Sequence, residues 1–170
     1  MSEQLLPEYS IRAGSGLDRA LLVKFMQRTY QELFQAQDFS HLARTVEQYF
    51  SRETPLWWVE LANSEPTQLL PHFSRQPVAC LWVGNAVDQV RGDRGAIIFL
   101  LYVVPEHRRR GIGTALMRYV EDWAKTRGDR QIGLQVFQSN KGALNLYNNL
   151  GYQTQSLWMV KSLHPETVVE

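Results

Sequence analysis

The sequence predicts an α/β protein in which one mixed sheet of about six to seven strands is flanked by about four helices. Three observations predict it. Apolar runs of strand length stand at 56–61, 77–84 and 96–104. Apolar residues recur at helical spacing in four other stretches. The two kinds of segment interleave as β-α-α-β-β-β-α-β-α-β, the order of a sheet with helices packed on it. At 170 residues the chain has room for one core, so 1–170 is expected to be a single domain.

Each element has its own signal. Residues 9–12 read as a short strand after an irregular start. Leu21, Leu22, Phe25, Met26, Tyr30, Leu33 and Phe34 mark one amphipathic helix, and Phe39, Leu42, Val46, Tyr49 and Phe50 a second, with Pro55 beyond its end. The aromatic run 56–61 reads as a strand. Residues 63–76 are polar and hold Pro66 and Pro71, which predicts a loop; 77–84 returns to strand, and 88–95 is a turn with Gly92 and Gly95. The unbroken apolar run 96–104 suits a strand buried on both faces. Ile112, Ala115, Leu116, Tyr119, Val120 and Trp123 form a helical stripe that ends near Gly128. Ile132, Leu134 and Val136 alternate as in a strand. A last helix spans 140–150, with Gly151 at its C-terminal cap, and 156–162 is expected to close the sheet as a final strand.

Composition excludes several classes. Hydrophobic residues make up 44% and charged residues 21%, the balance of a globular protein. With a net charge of +1 and a pI near 7.9, no global field recruits nucleic acid or an anionic membrane. No stretch approaches the roughly 18 apolar residues of a membrane span, and 1–9 lacks a signal-peptide pattern, so a cytoplasmic protein is expected. The single cysteine, Cys80, lies in an apolar run and reads as a buried thiol.

The basic residues are dense only from His107 to Arg110, and there the spacing is informative. A buried strand leads through Pro105 and Glu106 into Arg108, Arg109, Arg110, Gly111, Ile112, Gly113 and Thr114, and a helix begins at once. The first turn of a helix has amides without intrahelical partners and carries partial positive charge. Gly111 and Gly113 remove Cβ atoms that would hold a phosphate away, and the arginines add charge and forked donors. No Gly-Lys-Ser/Thr follows, so the segment is not a P-loop. A third glycine is missing and the next strand ends in Gln138, so it is not a dinucleotide fingerprint either.

These residues resemble the GNAT superfamily of acyl-CoA N-acyltransferases. Arg108–Gly113 is similar to that family's Q/R-x-x-G-x-G/A element. Asn140, Ala143, Leu146, Tyr147, Leu150, Gly151 and Tyr152 resemble its N-x-x-A-x-x-L-Y-x-x-x-G-F/Y ending. The match is firm over 96–161 and weaker over 9–95. It implies a GNAT-like sheet splayed between strands 96–104 and 132–137, with acetyl-CoA, the acyl-donor cosubstrate, wedged into the opening. Leu101, Tyr102 and Val103 would present main chain to the pantetheine arm and the thioester. Arg108, Arg109, Arg110, Gly111, Ile112, Gly113 and Thr114 would hold the diphosphate, with Asn140, Leu144 and Tyr147 completing the cofactor site.

The implied reaction is direct attack of a neutral primary amine on the thioester, with no metal. The oxyanion would meet a backbone N–H in 101–103. Tyr147 would protonate the departing thiolate, since a phenol with pKa near 10 stays protonated at pH 7; the other reading of Tyr147 is a core aromatic. The strand 96–100 carries no carboxylate where many relatives place one, so Glu60, His72, Glu106 and a water chain all stay open as routes for the amine's proton. Asn140 is open between cofactor ligand and helix cap, and Thr114 between phosphate donor and ordinary helical residue. The acceptor, small molecule or protein, is not named by the sequence, and homodimers are frequent among relatives. The missing carboxylate keeps a second reading open: a non-catalytic acetyl-CoA sensor of the same fold.

Overall fold

The structure, a computed structural model, describes residues 1–62 and 76–164. Among the described residues, six strands lie in chain order across one sheet: β1 (Ser2–Leu6), β2 (Tyr9–Ala13), β3 (Leu56–Leu61), β4 (Ala79–Val87), β5 (Arg94–Val103) and β6 (Ile132–Leu134). Neighbours are antiparallel except β5 and β6, which run parallel. Helices α1 (Arg19–Leu33) and α2 (Leu42–Tyr49) cover one face, and α3 (Ile112–Arg127) and α4 (Lys141–Asn149) the other. No helix among the described residues is long and apolar enough to cross a membrane.

Strand periodicity divides the core in two. On β3, Leu56 and Trp58 face α1 and α2, whereas Trp57 and Val59 face α3 and α4; on β4, Cys80 and Trp82 oppose Ala79, Leu81 and Val83 in the same way. Leu22, Phe25, Met26 and Val46 fill the first layer, and Ile112, Leu116, Met117 and Val120 the second. Cys80 is fully buried as expected, and desolvation pushes its thiol well above the usual range. Helix α3 stops at Gly128, whose φ of 84° is the left-handed cap, with Lys125 and Arg127 at the negative end of the dipole.

One irregularity positions everything downstream. Trp82 pairs with Leu100 but Val83 pairs with Ile98, so Phe99 is a β-bulge on β5. The extra residue reverses the alternation. Ala96 and Ile98 point to the α3 layer, yet Leu100 and Tyr102 point to the α1 layer. Phe99 swings its ring over β4 beside Trp82, with centroids 4.8 Å apart, and takes the space above Gly84. A Cβ on Gly84 would lie 2.3 Å from that ring.

Three expectations need correction. The irregular start is β1, an edge strand exposed along most of its length, without the apolar alternation that would have marked it. The bulge was not foreseen, because the run 96–104 is apolar on both faces and hides its phase. The final strand expected over 156–162 does not form: the segment has no regular structure, and residues 153–160 are all exposed. Residues 153–160 make no hydrogen bond to any described element, so the run has no neighbouring strand to pair with. The predicted loop over 63–76 lies, apart from Gln76, outside the described residues.

Gly84→Ala is therefore expected to displace Phe99 and cost about 1–3 kcal/mol, the usual penalty for overpacking. Urea unfolding of Gly84→Ala, Phe99→Ala and the double variant checks it. The double variant should be more stable than the sum of the two single effects; strict additivity would rule the clash out.

Candidate active site

The parallel pairing of β5 and β6 lasts only three residues, Ala96 with Ile132, Ile97 with Gly133 and Ile98 with Leu134. The strands then part at the bulge. From Leu100 to Val103, β5 is paired with β4 on one side and, among the described residues, with no strand on the other, where its main-chain edge is open. A sheet edge with unused N–H and C=O groups accepts any extended chain that can pair with it. Leu101 and Val103 turn their side chains to the α3 layer and Tyr102 to the α1 layer, so the open edge lies between the two cores.

Beyond the edge, a short 3-10 turn at Pro105–His107 brings the chain to the arginine run. Arg109 takes a φ of 62° and Gly111 a φ of 83°, which folds the loop back on itself before α3 starts. Open space surrounds the Cβ position of Gly111, whereas a Cβ on Gly113 would approach Leu146 of α4 at 3.2 Å. Ile112 anchors the turn with a side chain 1% exposed in the core. The first helical bond runs from the Ala115 amide to the Gly111 carbonyl, and among the described residues the amides of 109–114 have no backbone partner. This is an anion cradle of unpaired amides at a helix N-terminus.

The three arginines divide their work. Arg109 makes no ion pair or hydrogen bond among the described residues and is exposed. Arg110 donates to the Tyr9 hydroxyl at 3.3 Å. Arg108 turns away from the cradle: its Nε donates to the Val103 carbonyl at 2.8 Å and its Nη2 to Glu32 at 2.6 Å. Thr114 sits half-buried in the first turn of α3.

Helix α4 closes the other side. Asn140 caps it, its side-chain oxygen accepting from the Ala143 amide at 3.2 Å, which is the capping reading of that residue. Leu144 is half-buried and stands outside both core layers. Tyr147 is 9% exposed in the α3 layer, 5.9 Å from the Tyr152 ring, and its hydroxyl bonds to no described residue. Desolvation pushes its pKa up to about 12, so it holds its proton.

On the α1 side, Tyr102 donates to Glu32 at 2.6 Å, and its pKa is raised by desolvation and by that carboxylate. A hollow of about 560 Å³ opens here, lined by Arg28, Val78, Tyr102, Val104, Glu106 and His107 among others. The His107 Nδ1 lies 2.9 Å from the Tyr9 hydroxyl. Of the proton-accepting candidates, Glu106 borders this hollow. Glu60 does not, being held by the Arg12 Nε at 2.7 Å; His72 lies outside the described residues. Sequence reasoning missed Glu32. The sequence alone carries no signal for it: Arg28 and Glu32 follow Phe25 at i+3 and i+7 on α1, but only the fold packs Phe25 on Tyr102, with ring centroids 5.6 Å apart.

The Acetyltransferase (GNAT) family model matches residues 22–152. An uncharacterized N-acetyltransferase of Methanocaldococcus jannaschii is 37% identical over 78 residues, which is 46% of this chain and 33% of that one. The aminoglycoside N(6')-acetyltransferase type 1 of Acinetobacter haemolyticus is 31% identical over 96 residues, 55% of this chain and 66% of that one. The chain thus spans less than two-thirds of the length of these relatives. A Clostridium acetobutylicum protein described as a predicted acetyltransferase, solved with acetyl-CoA, superposes with a TM-score of 0.70 at 19% identity over 91% of this chain and 96% of that one.

The burial of Tyr147 has a pH signature. Below pH 10 its hydroxyl is protonated in both folded and unfolded chains. Between pH 10 and about 12 only the unfolded chain ionises, so this residue makes stability fall as pH rises. The parent protein should lose about 1.4 kcal/mol per pH unit more than Tyr147→Phe across that window. Denaturant unfolding of both proteins at pH 9, 10 and 11 measures it; parallel curves would mean that the hydroxyl is solvated.

Proposed function

Since the chain belongs to the GNAT acetyltransferase family, we propose that it transfers the acetyl group of acetyl-CoA to a primary amine by direct attack. The observation that carries the reading is that two unpaired surfaces follow one another in the chain, the open edge of β5 and, after the turn at Pro105–His107, the amide cradle at 109–114. A pantetheine arm is an extended chain with amide groups and suits the first; a diphosphate suits the second.

In this reading the amides of 109–114 bind the diphosphate, with Arg109 the freest of the three guanidinium groups to add charge. A β5 amide in 101–103 faces the developing oxyanion, where a preorganised donor is worth most. Tyr147 gives its proton to the departing thiolate, which its raised pKa keeps available at every working pH. The acceptor enters from the α1 side through the hollow beside Tyr102, His107 and Glu106. Residues 1–170 act as one domain in the cytoplasm, without metal, nucleic acid or membrane. A second reading, an acetyl-CoA sensor, draws support from β5, which offers no carboxylate to deprotonate an amine.

Acetyl-CoA at 100 times its dissociation constant should stabilise the fold by about 2.7 kcal/mol, seen as a rise in Tm. Tyr147→Phe should keep that rise and lower CoA release with an accepted amine on the order of 100-fold. No rise with acetyl-CoA would sink the proposal. A rise without turnover across a broad amine panel would favour the sensor.

A further inference from the structure

Glu32 stands where helix stability does not account for it. It lies in the last turn of α1, at the negative end of the helix dipole, which disfavours a carboxylate there. Both of its oxygens are engaged across the opening. Oε1 accepts from the Tyr102 hydroxyl at 2.6 Å and Oε2 from the Arg108 Nη2 at 2.6 Å. A phenol has one proton to donate and two lone pairs. With the proton committed to Glu32, the Tyr102 oxygen is left as an acceptor, and Tyr102 lines the hollow on the α1 side. Its ring is held edge-on against Phe25, and the Arg108 guanidinium lies 5.5 Å from the ring centroid, so the hydroxyl is fixed in place.

Two other titratable groups bordering the hollow suit proton acceptance less well. Tyr9 is 2% exposed and accepts from Arg110, and among the described residues its own proton has only the His107 Nδ1 to go to. The neutral imidazole then carries its hydrogen on Nε2 and offers a donor. Glu106 is exposed in the 3-10 turn, and no described group holds its carboxylate in one direction.

On the acetyltransferase reading, from which this inference proceeds, we propose that Tyr102 is the catalytic residue that relieves the attacking amine of its proton, and that Glu32, the positioning residue behind it, receives that proton in turn. Attack of the neutral amine forms the N–C bond and leaves a positive charge on nitrogen. One N–H proton passes to the Tyr102 oxygen as the Tyr102 proton passes to the Glu32 Oε1. The two transfers are coupled, because a free phenolate beside the carboxylate would set two negative charges within hydrogen-bond distance. The oxyanion then collapses, the C–S bond breaks, and the thiolate takes its proton from Tyr147. Glu32, with a side chain 37% exposed, gives its proton to water, and water returns one to Tyr147. The relay thus supplies from α1 the carboxylate that β5 lacks.

Kinetics with an accepted amine at saturating acetyl-CoA, together with the acetyl-CoA rise in Tm, test the relay. Glu32→Gln keeps a carbonyl for the Tyr102 hydroxyl but cannot take its proton, and Tyr102→Phe keeps the ring. Each should lower kcat on the order of 100-fold with the Tm rise intact. The double variant should be no slower than Tyr102→Phe alone, as two members of one relay require. Glu32→Ala should regain about tenfold when sodium formate replaces sodium chloride at equal ionic strength, because formate pairs with the vacated Arg108 and accepts the proton. A residue that only supported the fold would not respond to formate. Parent turnover with Glu32→Gln within about threefold of it overturns the relay and leaves acetyl transfer standing. So does multiplication of the two single effects, absence of formate rescue, or loss of the Tm rise in Glu32→Gln, which would put the effect in the donor loop through Arg108. A parent that turns over no amine sinks the acetyltransferase reading and the relay with it.

Discussion

The parting of β5 from β6 after Ile98 and Leu134 is the constraint on which the rest of the molecule depends. A parallel pair held along its full length would use every main-chain group of β5 and leave no room between the two core layers. The bulge at Phe99 bends β5 at the point of separation, and the flat surface of Gly84 lets the bulged ring rest on β4. A glycine on one strand thus determines where the next one opens. Because the bulge also reverses the alternation, Tyr102 reaches α1 while Leu101 and Val103 stay with α3 and α4.

The opening is bridged rather than empty. The C-terminal half of α1 touches both of its lips. Glu32 holds Tyr102 and Arg108 on the β5 side, and Phe34 and Tyr30 stack edge-on against Phe137 beyond β6, at 5.0 and 6.3 Å. Arg108, the first residue of the loop element, therefore serves α1 and the Val103 carbonyl, and leaves the cradle to backbone amides and its two neighbours. Much of the proposed cofactor surface is main chain, so side-chain identity constrains it only where glycine or a positive φ is required.

That division explains what the sequence made legible. The four helices and the strands 56–61, 77–84 and 96–104 were visible because burial on a periodic face leaves a periodic apolar pattern. The loop was visible because Gly111 needs its positive φ and Gly113 its closeness to Leu146. β1 was hidden because an exposed edge strand buries too little to leave a pattern. The bulge was hidden because β5 is apolar on both sides of it. Glu32 was hidden for a different reason: its role arises from a helix meeting a strand 70 residues away, and neither segment shows it alone. The composition of 156–162 reads as a strand, and no described strand pairs with it.

The burial of Cys80 reaches beyond packing. It is the only thiol in the chain, shielded completely by the α1 layer and held protonated by its surroundings. Disulfide reagents that colour on meeting a thiolate find none on the folded protein. Colour developed in a reaction mixture therefore counts liberated coenzyme alone, and a cysteine placed anywhere on the surface becomes a single addressable point for a dye or a spin label.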